Sequence, residues 1–222
     1  TELSLVQETP HIPHGREGDI VPDGVIDQKS KMADIQDGDM ILCRNTAPLT
    51  NLCMKYIASG VKAYIKGKDI GTNLINMLEK TRRTNIAEAM SVLTKELNKI
   101  AEKIAQKERC DLAEAHKSST YEAYSDKIQA LEVLSEGLSQ TRQLVSRIDG
   151  IFSDETRKGI CLSTIHKAKG LEADRVFIAC PDKLYNKRAM RIAWMAEQEK
   201  NLVYVAYTRA KHHLGFIADF SA

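Results

Sequence analysis

The segment 164–172 reads Thr-Ile-His-Lys-Ala-Lys-Gly-Leu-Glu, residue types that handle phosphate and sugar groups. Thr164 and His166 offer neutral hydrogen-bond donors to phosphate oxygens, and Lys167 and Lys169 bring positive charge. Gly170 permits a positive φ or a close backbone approach. Glu172 is an acceptor that can hold a ribose hydroxyl or orient an arginine. Taken singly, each residue is better read as satisfying its neighbours; the complete string is not. A second block, Glu197–Lys211, carries Thr208 and Arg209 where a helix should end. An arginine held at a helix terminus, facing a domain boundary, can reach the γ-phosphate of a nucleotide on a neighbouring domain. There it is worth about 10³–10⁵ in rate. Alone, Arg209 is an ordinary solvated side chain favoured by the helix dipole. Glu199 and Lys200 read as solvated positions, or as a salt bridge that steadies Arg209.

Elements must exist to place these groups. Ile160–Ile165 and Arg175–Ala179 are strand-like runs, a helix of roughly 15 residues should end near Arg209, and His213–Ile217 closes as a strand. Leu202, Val205 and Ala206 fall at core spacing on that helix. Earlier in the chain, Met40–Cys43 reads as a short apolar strand. Thr46 can cap a following helix with Pro48 in its first turn. Leu49, Leu52, Cys53, Tyr56 and Ile57 share one face, and Gly60 stands where that helix ends. Val61–Ile65 alternates as a second strand, and Asp69–Leu78 begins another helix. Strand, helix, strand at this spacing is a crossover in a parallel sheet. Between the two strand regions, 84–150 carries two apolar stripes. One runs Ile86, Met90, Leu93, Leu97, Ile100, Ile104; the other runs Ile128, Leu131, Leu134, Leu138, Val145, Ile148. Two long amphipathic helices packed as an antiparallel hairpin follow from that pattern.

The expected fold class is therefore α/β, a parallel sheet flanked by helices and interrupted by an all-helical insertion. Residues 1–37 form an irregular start with short strands near Asp19–Val21 and Val25–Asp27. Residues 38–83 are the first part of the sheet domain, 84–150 the insertion, and 151–222 the second part.

Composition narrows the class of partner. The net charge is +2, so any nucleic-acid contact must come from a local basic strip. The five cysteines form no C-x-x-C pair, which favours free thiols in a reducing compartment, the cytoplasm. No apolar run approaches the roughly 18 residues that span a bilayer, so no membrane partner is expected. His11 and His14 have a metal-compatible spacing, but no cysteine or acidic helix supports them, and no metal site is expected. Thr1 in first place fits a piece of a longer chain, and processing explains it equally well.

The strings STIHKAKGLEADRVFI and QEKNLVYVAYTRAK resemble two motifs of UvrD-like superfamily-one helicases, "T-x-H-x-x-KGLE-x-x-x-VF" and "E-E-x-x-L-x-YVA-x-TRA". GDMILCRNTAPL is similar to the segment that opens the middle of these helicases' second RecA-like domain, with Asn45 and Thr46 in reversed order. The resemblance spans 38–78 and 158–218, and it implies a second RecA-like domain with the 84–150 helices as a reduced accessory subdomain. It further implies that Arg209 is catalytic, touching the γ-phosphate, and that Glu172 and Gly170 lie at the nucleotide. Thr164, His166, Lys167, Lys169 and Arg44 would face DNA. The implied cofactors are ATP and Mg2+, held mainly by an N-terminal RecA-like domain of the same parent chain. The implied partner is single-stranded or duplex DNA, with 3′ to 5′ translocation by analogy.

Departures matter as much. The sequence has no G-x-x-x-x-G-K-[ST] phosphate loop, no Asp-Glu metal pair after a strand and no Q-x-x-R-[ST] element. The chain by itself is therefore expected to bind ATP poorly and hydrolyse none. A non-catalytic, helicase-derived module that binds nucleic acid or protein is the second reading. A helicase–nuclease subunit is the third.

Overall fold

A computed structural model describes residues 26–27, 34–154, 158–186 and 189–217. The strands are β1 (Ile26–Asp27), β2 (Met40–Cys43), β3 (Ala63–Lys66), β4 (Phe152–Ser153), β5 (Ile160–Thr164), β6 (Ala173–Ala179) and β7 (Ala210–Ile217). They form one seven-stranded sheet in the order β1-β7-β6-β2-β5-β3-β4, and each neighbouring pair is parallel. The expected α/β class is what the structure shows. The His11–His14 spacing, the strand expected near Asp19–Val21 and Val25 lie outside the described residues, while β1 falls within the expected Val25–Asp27 strand.

Parallel strands covered on both faces read as nearly continuous apolar runs, and side-chain alternation divides them between two cores. Ile41 and Cys43 of β2 join Phe177 and Ala179 of β6 in the larger core. Met40, Leu42, Val176 and Ile178 join the smaller. The larger core is closed by α1 (Thr46–Ala58), α2 (Lys68–Lys80), α3 (Ile86–Glu108), α5 (Ser119–Ser135) and α6 (Thr141–Ile151). A single turn, α4 (Leu112–Ala115), separates α3 from α5. The smaller core is closed by α7 (Ala193–Tyr207).

The helical segment departs from the expected two-helix hairpin. Its second arm is broken into α5 and α6, because Gly137 takes a left-handed φ of +73°. Gln140 then opens a new helix through a reciprocal capping box with Gln143. The segment also does not bury its stripes only against itself. Leu93, Leu131 and Leu144 belong to the same buried cluster as Ile41 and Leu49, so one core runs from the sheet through the inserted helices.

Candidate functional site

Parallel strands present their functional loops at the C-terminal edge of the sheet, and here Arg44 follows β2, His166 follows β5 and Cys180 follows β6. Thr164 is the last residue of β5 and is buried; its carbonyl accepts from the Lys167 and Ala168 amides at 3.0 Å each. That turn leaves Lys167 and Lys169 exposed, and His166 open to solvent on one side but partly shielded on the side of Arg44 and Glu199. Lys167 reaches Asp69 at the start of α2, Nζ to Oδ2 2.6 Å.

Arg44 makes the dominant contact at this edge. Its guanidinium grips both carboxylate oxygens of Glu199, Nη2 to Oε1 at 2.8 Å with Nη1 on Oε2, and Nη1 also donates to the Leu184 carbonyl at 3.1 Å. The pair is well buried, with side-chain exposures of 19% for Arg44 and 11% for Glu199. Glu199 further accepts from the Asn186 amide at 2.9 Å, and the Asn186 side chain donates to Glu122 of α5. The expectation that Glu199 is solvated or steadies Arg209 is therefore corrected. It is held about 15 Å from Arg209 along α7, at 1.5 Å per residue. Lys200 is exposed, as expected. The buried stripe of α7 is Glu199, Val203, Ala206 and Tyr207, so the expected core positions Leu202 and Val205 are only half-buried.

The helix α1 begins two residues after Arg44, and here too the expectation needs correction. Its N-cap is Asn45, without a side-chain cap bond, rather than Thr46. The free amides of Thr46 and Ala47 donate instead to Asp126 of α5, at 2.7 and 2.9 Å. A carboxylate from the inserted helices thus satisfies a helix N-terminus, where the dipole favours negative charge. His166 sits close to this charge array. Desolvation first, and the Arg44 guanidinium second, hold it below the ordinary histidine range, with Glu199 pulling the other way.

Glu172 and Arg209 lie elsewhere. Thr164 is level with Cys43 and Val176 with Met40. This puts Ala173 about 20 Å from Thr164 along the strand direction, at about 3.3 Å per residue. The 165–172 connection therefore crosses the smaller-core face, buried through Ile165 and Ala168 and half-buried at Leu171, to the N-terminal edge of the sheet. There Ala173 is in register with Ala210. Arg209 donates from Nε to the Val205 carbonyl at 2.9 Å, from Nη1 to the Leu171 carbonyl at 3.2 Å and from Nη2 to the Thr208 hydroxyl at 2.9 Å. Its own carbonyl accepts from the Ala173 amide at 3.1 Å. The contacts to Leu171 and Ala173 bracket Glu172, which is itself exposed. Gly170, with φ +85° and open space around its Cα, lies just ahead of this clip.

The sequence-selected residues thus form two groups. Thr164, His166, Lys167 and Arg44 stand at one edge, Glu172 and Arg209 at the other, and Lys169 and Gly170 lie on the connection between them. Sequence reasoning missed Glu199, Asp126, Asn186 and Glu122. A signal for Glu199 was present, because it lies at i−4 and i−7 from Val203 and Ala206 on the buried stripe. Asp126 and Asn186 left no such signal. No group of three or more His, Cys, Asp and Glu residues suited to a metal ion occurs among the described residues. No described helix is long and apolar enough to cross a membrane.

Residues 59–219 match the family model of the UvrD-like helicase C-terminal domain. No curated protein matches the chain. The match covers most of the 222 residues, and the chain belongs to the UvrD-like helicase C-terminal domain family, a family of ATP-dependent helicases.

Proposed function

From that membership we propose that the chain is the second RecA-like domain of a DNA helicase motor, and that the 165–172 connection carries its coupling. Arg209 and Glu172 would meet ATP held chiefly by another RecA-like domain, while Thr164, His166, Lys167 and Lys169 would meet single-stranded DNA. The observation that carries this reading is the clip between Arg209 and Leu171, at the far end of the segment that starts at Thr164.

The residues fit a nucleotide contact but not a metal site. A guanidinium has five N–H donors, and the three contacts within the chain leave two for phosphate oxygens. Bound ATP would supply the phosphoryl group whose transfer releases energy, and Mg2+ would be held by the other domain. Drawing the Arg209 fork toward phosphate loosens its hold on the Leu171 carbonyl. The connection is packed through Ile165 and Ala168, so a shift at Leu171 is passed to the turn that carries His166 and Lys167. Packed interiors move between discrete arrangements rather than deforming smoothly, which makes such a relay a switch. Arg44 acts as a positioning residue in this scheme, fixing the ends of β2 and α7 through Glu199.

The DNA half is tested in the full-length protein with Lys167→Ala and Lys169→Ala combined. Single-strand affinity should fall about equally for all sequences, and the slope of log affinity against log salt should shrink by about 1–2. An unchanged slope rejects the DNA-facing assignment.

A further inference from the structure

Cys43 ends β2, and Cys180 immediately follows the adjacent parallel strand β6. Simple alternation would send them to opposite faces of the sheet, because Cys43 shares the face of Ile41, and Phe177 and Ala179 share it in β6. Cys180 breaks the alternation. Its backbone takes a left-handed φ of +53°, a conformation L-residues other than Gly and Asn rarely adopt. This returns its side chain to the larger core beside Cys43. Continuing the register Leu42↔Ile178 sets Cys43 level with Ala179, one residue from Cys180. Nothing in the proposed motor role uses either thiol, yet a non-glycine residue is held in an unfavourable conformation that brings them together.

We infer that Cys43 and Cys180 form a redox-sensitive dithiol, a modification site that closes to an intrachain disulfide when the protein meets hydrogen peroxide. Roles follow from the surroundings. The neighbouring Cys43 thiol chiefly, opposed by burial and then helped by Lys183, holds Cys180 below the ordinary thiol range; Cys43 is held well above it by the Cys180 sulfur and by burial. Cys180, 8% exposed against 1% for Cys43, is the sulfur nearer to solvent, so it is the attacking sulfur and Cys43 the resolving one. The Cys180 thiolate attacks one peroxide oxygen, the O–O bond breaks, and hydroxide leaves, taking up a proton to become water. Cys43 then attacks the sulfenic sulfur, the S–O bond breaks, and a second water leaves with the Cys43 proton. Both sulfurs are oxidised, the peroxide is reduced, and a dithiol reductant reverses the change. The bridge would fasten β2 immediately before Arg44 to the turn whose Leu184 carbonyl Arg44 grips.

Tryptic mapping tests this directly, because the five cysteines fall in five separate tryptic peptides. The folded chain is treated with equimolar hydrogen peroxide, free thiols are blocked, and the digest is read by mass spectrometry. The expected product links peptide 32–44 to peptide 176–183 at two hydrogens below their summed mass, and it disappears after reduction. In Cys43→Ser, a dimedone adduct should appear at Cys180, and in Cys180→Ser neither product should form. Both thiols remaining free, or Cys180 bridging to Cys110 or Cys161 instead, overturns the inference. Should either variant fail to fold, the wild-type map alone decides.

Discussion

Glu199→Ala probes the least expected part of the structure. The substitution leaves the Arg44 guanidinium with the Leu184 carbonyl as its remaining contact of the three described, and strips the Asn186 amide of its acceptor. Removing one partner of a buried pair costs about 3–5 kcal/mol. The 19% exposure of Arg44 lets water recover part of that, so the expected loss is about 3 kcal/mol, the lower end of the range. For a chain of this size each kcal/mol lowers Tm by roughly 2–4 °C, so the midpoint should fall by roughly 6–12 °C. Urea unfolding and a thermal scan measure both quantities. Glu199→Gln keeps the shape and one acceptor, so its loss should be smaller. Arg44→Met combined with Glu199→Leu leaves no uncompensated charge and should recover much of the stability, because apolar replacements of buried pairs are often neutral or better. A Glu199→Ala chain within about 1 kcal/mol of wild type would refute this account of the pair.

Further outcomes follow from other contacts. Asp126→Ala leaves the Thr46 and Ala47 amides without their acceptor and should cost about 1–2 kcal/mol in urea unfolding. An Asp126→Ala curve that overlays wild type would remove that cap from the account. Gly159→Ala would set a Cβ 2.4 Å from the Lys62 carbonyl oxygen at φ +128°, and the chain should fail to accumulate folded. Gly150→Ala, in α6 with nothing near its Cβ, should instead stabilise by about 0.5–1 kcal/mol. His166 is held below its unfolded value near 6.5, so the folded state prefers it neutral. The unfolded chain then binds more protons at mildly acid pH. The His166 contribution is present above that value and is lost as pH falls below it. His166→Gln should flatten that part of a stability–pH profile, and an unaltered slope would contradict the assigned direction.

Local sequence carried the elements well and the site only in part. Met40–Cys43 and the 15-residue helix ending at Tyr207 were legible because each is a compact apolar pattern between clear stops. The α5–α6 break was missed because the apolar stripe continues in phase past Gly137. The Arg44–Glu199 pair joins residues 155 positions apart, and the Asp126 contacts join residues 79 and 80 apart. No window of local pattern holds such pairs. Glu199 in particular looks solvated by type, and it is buried only because Arg44 arrives from the end of β2 to neutralise it. The separation of Glu172 from Thr164 was also hidden. Only eight residues apart in sequence, they end at opposite edges because β5 and β6 both run parallel to β2 and the connection must recross a sheet face.

The motor reading rests on Arg209, and its most direct test is DNA-stimulated ATP turnover by the full-length protein carrying Arg209→Ala, with Arg209→Lys beside it to keep charge but lose the planar fork. The account predicts a fall in turnover of about 10³ or more in the alanine variant, with single-strand affinity largely retained. Turnover within about tenfold of wild type, in a variant that still folds, would contradict it.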